Sequence, residues 1–145
     1  MTTSTLVDLA RSIATKAHEH QINKSGQPYI GHPVRVAERV RGDDAAEVVA
    51  WLHDVVEDTN VTLDDLRAHF SDVIVDAVDA MSKRNAEPID DYYARVMANP
   101  VARAVKLADI ADNTDPRRSV LLDERTRTRL AAKYAHARVA LCATL

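Results

Sequence analysis

The sequence is poor in glycine and in cysteine. Its 145 residues include three glycines, all within the first third of the chain, and one cysteine. Because glycine weakens helix interiors, its scarcity favours long helical segments. The single cysteine, Cys142, excludes an internal disulfide and fits a reducing compartment, so we expect a cytoplasmic protein.

Long apolar runs and a large excess of one charge are also missing. No uninterrupted apolar stretch reaches membrane-spanning length, and the first twelve residues lack the basic start and apolar centre of a secretory signal. The formal net charge of −3 argues against a general nucleic-acid or membrane binder. Hydrophobic residues nevertheless make up 46% of the chain, enough for a buried core. We expect a single domain over residues 1–145 and leave its oligomeric state open.

Apolar periodicity and capping residues predict an all-α fold. Residues suited to helix starts recur along the chain: Pro33, Asp43 or Asp44, Thr62 with Asp65, Ser71, Pro88, Pro100 and Asp123. The third helix is expected to run through AAEVVAWLHDVVED, residues 45–58. No alternating strand pattern and no linker long enough to divide the chain is found.

The third predicted helix ends in a cluster of ionisable side chains, within WLHDVVEDT. His53 and Asp54 lie about 100° apart on a helix. Glu57 follows His53 by four residues, and Asp58 follows Asp54 by four, so all four can line one side. Neighbouring acids repel unless a cation neutralises them, which suggests a metal. The alternative for the His–Asp pair alone is an ordinary exposed ion pair.

Two further segments carry the same kinds of side chain. In PYIGHPVRVA, His32 lies at a helix boundary, where a capping or turn role is the alternative. In AVKLADIADN, Asp109 falls on the apolar side of its helix with Asn113 one turn later, and a buried pair with Lys106 is the alternative. Two imidazoles and two carboxylates suit a divalent transition metal with open positions for water, and not a closed structural zinc site.

The segments PYIGHP, WLHDVVEDT and VKLADIADN, in this order, resemble the HD-domain metal-dependent phosphohydrolases. They are most similar to the hydrolase domain of the RelA/SpoT alarmone enzymes and their small stand-alone relatives. The resemblance runs from about Ala17 to Tyr134 and implies an all-α HD domain that binds manganese, or another divalent transition metal. The implied metal ligands are His32, His53, Asp54 and Asp109. The residues implied to orient or activate the attacking water are Glu57 and Asp58.

The resemblance implies hydrolysis of the 3′-pyrophosphate from guanosine tetra- or pentaphosphate, so we expect a phosphorylated nucleotide as the partner. The expected substrate contacts are Lys24, Ser25, Lys106 and Asn113. On the last helix, Arg125, Arg129 and Lys133 recur every four residues, and we expect them to form a solvated face, with a phosphate-facing role as the alternative.

The sequence departs from the family pattern at two places. The family usually has an arginine before the lysine of the NKSG turn, where its guanidinium packs on the base; here that position is Asn23. The long alarmone enzymes follow the last metal aspartate with an arginine and a histidine, which are Ile110 and Asp112 here. We therefore expect weaker selection for guanine, which Asn23→Arg should strengthen. Another nucleotide or phosphoester substrate stays open, as does a non-catalytic nucleotide-sensing module.

Overall fold

The computed structural model describes residues 3–142, with side chains described from residue 5. Over these residues the predicted all-α fold is confirmed, and one isolated antiparallel bridge joins Ile22 to Pro28. The helices are α1 (Thr3–Ala17), α2 (Gly31–Arg39), α3 (Asp44–Leu52), α4 (Val55–Asp58), α5 (Leu63–Arg67), α6 (Asp72–Met81), α7 (Ile89–Met97), α8 (Pro100–Asn113), α9 (Pro116–Ser119) and α10 (Glu124–Cys142). No helix within these bounds has the length and apolar character needed to span a bilayer.

Helix α3 lies at the centre of the bundle. It packs against α1, α2, α6 and α8, and its side chains from Val48 to Leu52 are all buried. A helix that is apolar on every side has to be surrounded by other elements. As a result, the residues that follow Leu52 emerge in the interior of the molecule instead of at its surface.

The expectation of one continuous helix through residue 58 is wrong. Helix α3 ends at Leu52, and a separate turn of helix, α4, begins at Val55. The His53 ring donates from Nδ1 to the Ala50 carbonyl at 2.6 Å, and that carbonyl is the acceptor an amide at position 54 would use in a continuous helix. The break interrupts the single helical face on which the spacing placed His53 and Asp54 with Glu57 and Asp58.

Most predicted helix starts are confirmed. Thr62 and Asp65 form the capping box that begins α5, and the Asp123 carboxylate accepts the Thr126 amide at 2.7 Å. Helix α6 begins directly after Ser71, although the serine side chain makes no capping hydrogen bond. The short helix α9, capped by Asp115, was not predicted.

A tight turn between α1 and α2 carries the NKSG segment. Two backbone hydrogen bonds close it, from the Asn23 amide to the Gln27 carbonyl at 2.8 Å and from the Tyr29 amide to the Gln21 carbonyl at 2.9 Å. Gly26 has φ of 82°, a conformation that side-chain-bearing residues adopt at a cost. The turn holds residues 23–25 in a fixed arrangement close to the start of α2.

Candidate metal centre and its cavity

Two histidines meet in the interior, and each is held through one ring nitrogen. His53 follows α3 and donates from Nδ1 to the Ala50 carbonyl at 2.6 Å. His32, in the first turn of α2, has its Nδ1 2.7 Å from Asp112 Oδ2. Both side chains are buried, and the ring centroids lie 5.3 Å apart. The Nε2 atoms of both rings are thus left to face the same place.

Asp109 occupies that place. Its Oδ1 lies 2.7 Å from His32 Nε2 and 3.6 Å from His53 Nε2, and it accepts a hydrogen bond from Asn113 Nδ2 at 3.1 Å. Its Oδ2 pairs with Lys106 Nζ at 2.9 Å, so the predicted alternative, a buried acid paired with this lysine, is also present. Although burial alone would raise the pKa of Asp109, the charge of Lys106 holds it well below the usual range.

Asp54 completes the group from the other side. Its Oδ2 lies 3.0 Å from His53 Nε2, and the Tyr29 hydroxyl donates to the same oxygen. Burial and then the negative charge of Asp54 raise the pKa of Tyr29, so the phenol remains a donor. Tyr29 was not singled out in the sequence analysis, although it lies three residues before His32 in the segment PYIGHP.

These side chains fit a divalent cation. One atom each from His32, His53 and Asp109 can be chosen so that all three lie within 4.8 Å of one another. His53 Nε2 is buried and makes no well-aligned hydrogen bond, and a buried polar atom in this state is costly unless it has a partner. Nitrogen and oxygen donors together, without thiolates, suit Mn²⁺, Fe²⁺ or Zn²⁺ in a site that keeps open positions.

A cavity of about 800 Å³ opens next to this group. Of the ten residues predicted to be functional, all except the buried His53 line it. The lining ones are Lys24, Ser25, His32, Asp54, Glu57, Asp58, Lys106, Asp109 and Asn113. The structure therefore brings the predicted metal, catalytic and substrate residues to one cavity, and their individual roles stay predictions.

Glu57 and Asp58 reach the cavity wall from α4, beyond the break after α3. For both residues, burial followed by the negative charge of Asp54 raises the pKa of the carboxyl group. A carboxylate with a raised pKa accepts a proton more readily near neutral pH than an ordinary surface acid. This electrostatic setting is what a general base requires.

The cations of the cavity are only partly those expected. Arg118 and Lys133 line it together with Lys24 and Lys106, so at Lys133 an exposed side chain of the stripe on the last helix also borders the cavity, which favours the alternative of a phosphate-facing role there. The stripe's other members, Arg125 and Arg129, do not line the cavity. The α10 pattern could not reveal this, because the neighbour that Lys133 faces is set by tertiary packing.

Asn23 has a structural role in the NKSG turn. Its Oδ1 accepts hydrogen bonds from the Ser25 amide at 3.0 Å, the Ser25 hydroxyl at 2.8 Å and the Gln27 amide at 3.0 Å. The side chain is therefore engaged within the turn. An arginine at position 23 would lose all three hydrogen bonds, so the expected gain in base binding for Asn23→Arg does not follow from this geometry.

Comparison with known proteins identifies the family. Residues 10–141 match a protein-family profile described as the HD domain. The chain belongs to the HD-domain family. Its fold is the HD-domain helical bundle: a solved structure described as a metazoan ortholog of SpoT superimposes with a TM-score of 0.78. At 21% identity, over 97% of this chain and 88% of that one, the likeness concerns the fold alone.

Curated relatives of this HD-domain protein are longer bacterial enzymes. A Vibrio cholerae protein named guanosine-3′,5′-bis(diphosphate) 3′-pyrophosphohydrolase is 37% identical over 119 residues, which cover 74% of this chain and 17% of the relative. A Streptomyces coelicolor protein named GTP pyrophosphokinase is 37% identical over 125 residues, covering 77% of this chain and 15% of the relative. The chain thus spans less than a fifth of the length of either relative.

Proposed function

We propose that this HD-domain protein is a metal-dependent phosphohydrolase that removes the 3′-pyrophosphate from guanosine 3′,5′-bis(diphosphate)-type alarmones. The observation that carries the proposal is the convergence of His32, His53 and Asp109 at a cavity that also holds further acids and lysines. The name of the Vibrio cholerae relative supports the choice of substrate. Binding and hydrolysis of a phosphate ester need this combination of cation site, base and positive charge.

The proposed cofactor is Mn²⁺, held by His32, His53, Asp54 and Asp109, although another divalent transition metal would suit the same ligands. When bound, the ion supplies Lewis acidity, which makes hydroxide available near neutral pH and neutralises phosphoryl charge. Each of these side chains has a hydrogen-bond or ion-pair partner within the protein, which supports a centre that is formed before substrate arrives.

The remaining residues at the cavity have separate roles in proton transfer and in substrate binding. Glu57 takes the proton of the attacking water, and Asp58, next to it on α4, helps to orient that water. Lys106 neutralises negative charge beside Asp109, and its Nζ donates to Asp109 Oδ2 at 2.9 Å. Lys24 and Ser25 on the NKSG turn, with Asn113 on α8, hold the nucleotide against the cavity wall.

A nucleotide panel tests the reaction. The full chain, loaded with Mn²⁺, is incubated with guanosine and adenosine 3′,5′-bis(diphosphates) and with nucleoside monophosphates, while phosphate and pyrophosphate are measured separately. We expect pyrophosphate and the nucleoside 5′-diphosphate from the bis(diphosphates). If the metal-loaded protein cleaves neither bis(diphosphate), the alarmone proposal is wrong.

Metal content tests the ligand set independently of substrate. We expect Asp54→Ala and Asp109→Ala to lose both the ion and turnover, because the remaining ligands hold the ion poorly. Asp76→Ala, at an exposed position of α6, is the matched control and should keep one ion per chain. Full occupancy in both site variants, measured by elemental analysis, would rule out this ligand set.

A second candidate is an HD phosphohydrolase that acts on another nucleotide or phosphoester. It is favoured by Asn23, whose amide is used within the turn and offers no planar cation to a guanine base. In the same panel, phosphate release from a monophosphate without pyrophosphate release from the alarmones would select this candidate. A non-catalytic sensing module would bind these nucleotides without releasing either product.

A further inference from the structure

Asp112 is a buried carboxylate to which the sequence pattern assigns no function. It lies on α8, one helical turn after Asp109, and its side chain is 0% exposed. A buried acid is stable only when it is paired and hydrogen-bonded. Three partners surround it: His32 Nδ1 at 2.7 Å, Arg35 Nε at 2.8 Å and Arg118 Nη1 at 2.8 Å.

The two arginines hold the Asp112 carboxylate in a defined place. Arg35 reaches Oδ1 from α2, and Arg118 reaches Oδ2 and the Asp112 backbone carbonyl, the latter at 3.0 Å. Arg35 passes close over the start of its own helix, where a Cβ on Gly31 would lie 2.9 Å from its Nη1. Glycine at position 31 therefore leaves room for the arginine, and α2 carries both His32 and the side chain that anchors its partner.

His53 shows how a histidine of this centre is arranged. Its Nδ1 donates to the Ala50 carbonyl, an atom that can only accept, so in the neutral ring the lone pair is on Nε2. His32 has the same pattern with a carboxylate in place of the carbonyl: Nδ1 faces Asp112, and Nε2 faces Asp109. The two rings thus present corresponding nitrogen atoms to the centre.

We propose that Asp112 is a positioning residue that accepts the Nδ1 proton of His32 and so presents the His32 Nε2 lone pair to the metal. A carboxylate behind a metal-bound histidine sets the tautomer, fixes the ring orientation and makes the ligand more basic. The inference rests on the metal site of the proposed function, and it is independent of which phosphoester is hydrolysed.

The first test needs no substitution. The full chain, labelled with ¹⁵N in histidine, is loaded with Zn²⁺ as a diamagnetic substitute, and NMR identifies the protonated nitrogen of each ring. We expect the His32 proton on Nδ1 and the metal on Nε2, as for His53. A His32 proton on Nε2, or metal bound through Nδ1, would overturn the proposal. Failure of the wild type to bind Zn²⁺ or Mn²⁺ at all would instead refute the metal site itself.

The second test compares two aspartates of the same region. Asp112→Asn keeps the shape but removes the charge, and Asp115→Asn removes the same charge from a residue that caps α9 and pairs with Arg117. By calorimetric titration of the metal-free protein, we expect Asp112→Asn to weaken Mn²⁺ binding by about 10- to 100-fold, and Asp115→Asn to match wild type. A folded Asp112→Asn that binds Mn²⁺ within twofold of wild type contradicts the proposal. If that variant does not fold, the NMR assignment in the wild type decides.

Discussion

At the scale of single residues, neighbouring acids at this site differ because their partners differ. Asp109 is deeply buried, which would raise its pKa, yet the charge of Lys106 lowers it. Glu57 has no such cation bound to it, and burial followed by the charge of Asp54 raises its pKa. Environments that push the pKa values of nearby carboxyls apart separate their chemical roles. The lowered pKa of Asp109 suits a metal ligand, and the raised pKa of Glu57 suits a proton acceptor.

Glu57→Gln separates binding from chemistry. The amide keeps the size of the side chain but cannot accept a proton, so we expect turnover to fall by roughly 10²- to 10⁴-fold while the metal content stays unchanged. Steady-state rates and elemental analysis of the same preparation check both parts. If Glu57→Gln has activity close to wild type, Glu57 is not the proton acceptor and Asp58 becomes the candidate.

Lys133 is predicted to bind a phosphate group of the substrate. Burial, followed by the charges of Lys106 and Lys24, lowers its pKa, so three ammonium groups lie near one another and favour a polyanion. We expect Lys133→Gln to raise KM for the bis(diphosphate) by up to about tenfold, the equivalent of 1.4 kcal/mol, with little change in kcat. Arg125→Gln, on the same stripe but outside the cavity, is the control. Equal KM values for the two variants would show that Lys133 belongs to the solvated face and does not bind phosphate.

At the scale of elements, the break between α3 and α4 and the NKSG turn shape the site. The break lets the second half of α3, Val48 to Leu52, remain apolar and buried while α4 carries its acids to the cavity. The NKSG turn, closed through the side chain of Asn23, brings Lys24 and Ser25 to the same cavity. Each is a short non-helical interruption, and each supplies side chains that line the cavity.

Asn23 is predicted to stabilise the turn. Asn23→Arg removes three hydrogen bonds, so we expect a loss of roughly 1–2 kcal/mol in the free energy of unfolding and a higher KM for the alarmone. Asn23→Asp keeps an acceptor oxygen and should retain most of the stability. Urea denaturation of both variants measures the difference. A lower KM for Asn23→Arg, with wild-type stability, would place residue 23 at the base instead.

At the scale of the whole molecule, Glu57 and Asp58 lose solvation in the folded protein and also lie near the negative charge of Asp54, and both effects oppose folding. The folded-state pKa of Glu57 is raised above its ordinary value of 4.5, so its ionised form costs stability at neutral pH. That cost disappears as pH falls through the raised pKa, because the folded protein then takes up the proton. The raised pKa that suits Glu57 to the proposed role of proton acceptor therefore lowers the stability of the folded protein at neutral pH.

The sign of this effect can be measured in the metal-free protein. We expect Glu57→Gln to have a higher Tm than wild type at pH 7, and the difference to shrink as pH is lowered towards 4.5. Glu38→Gln, at an exposed position of α2 outside the cavity, controls for loss of one charge. An equal or lower Tm for Glu57→Gln at pH 7 would show that the carboxylate is not under electrostatic strain.

Local chemistry made much of this protein predictable. The helix starts at Thr62, Pro100 and Asp123 follow from capping and from proline geometry, which involve only neighbouring residues. The ligand types in three separate segments also predicted a cation site, and nine of the ten candidate residues do line one cavity. The single domain, the cytoplasmic location and the role of each residue stay predictions.

The sequence by itself thus determined an all-α chain with a mixed nitrogen and oxygen ligand set, whereas tertiary structure decided how the ligands are held. The pairing of His32 with Asp112 joins residues 80 positions apart, and that of Tyr29 with Asp54 joins residues 25 apart. The break after Leu52 and the position of Lys133 at the cavity also depend on neighbours in space. Periodicity places a side chain on a face of its own helix, but packing between helices selects what that face meets.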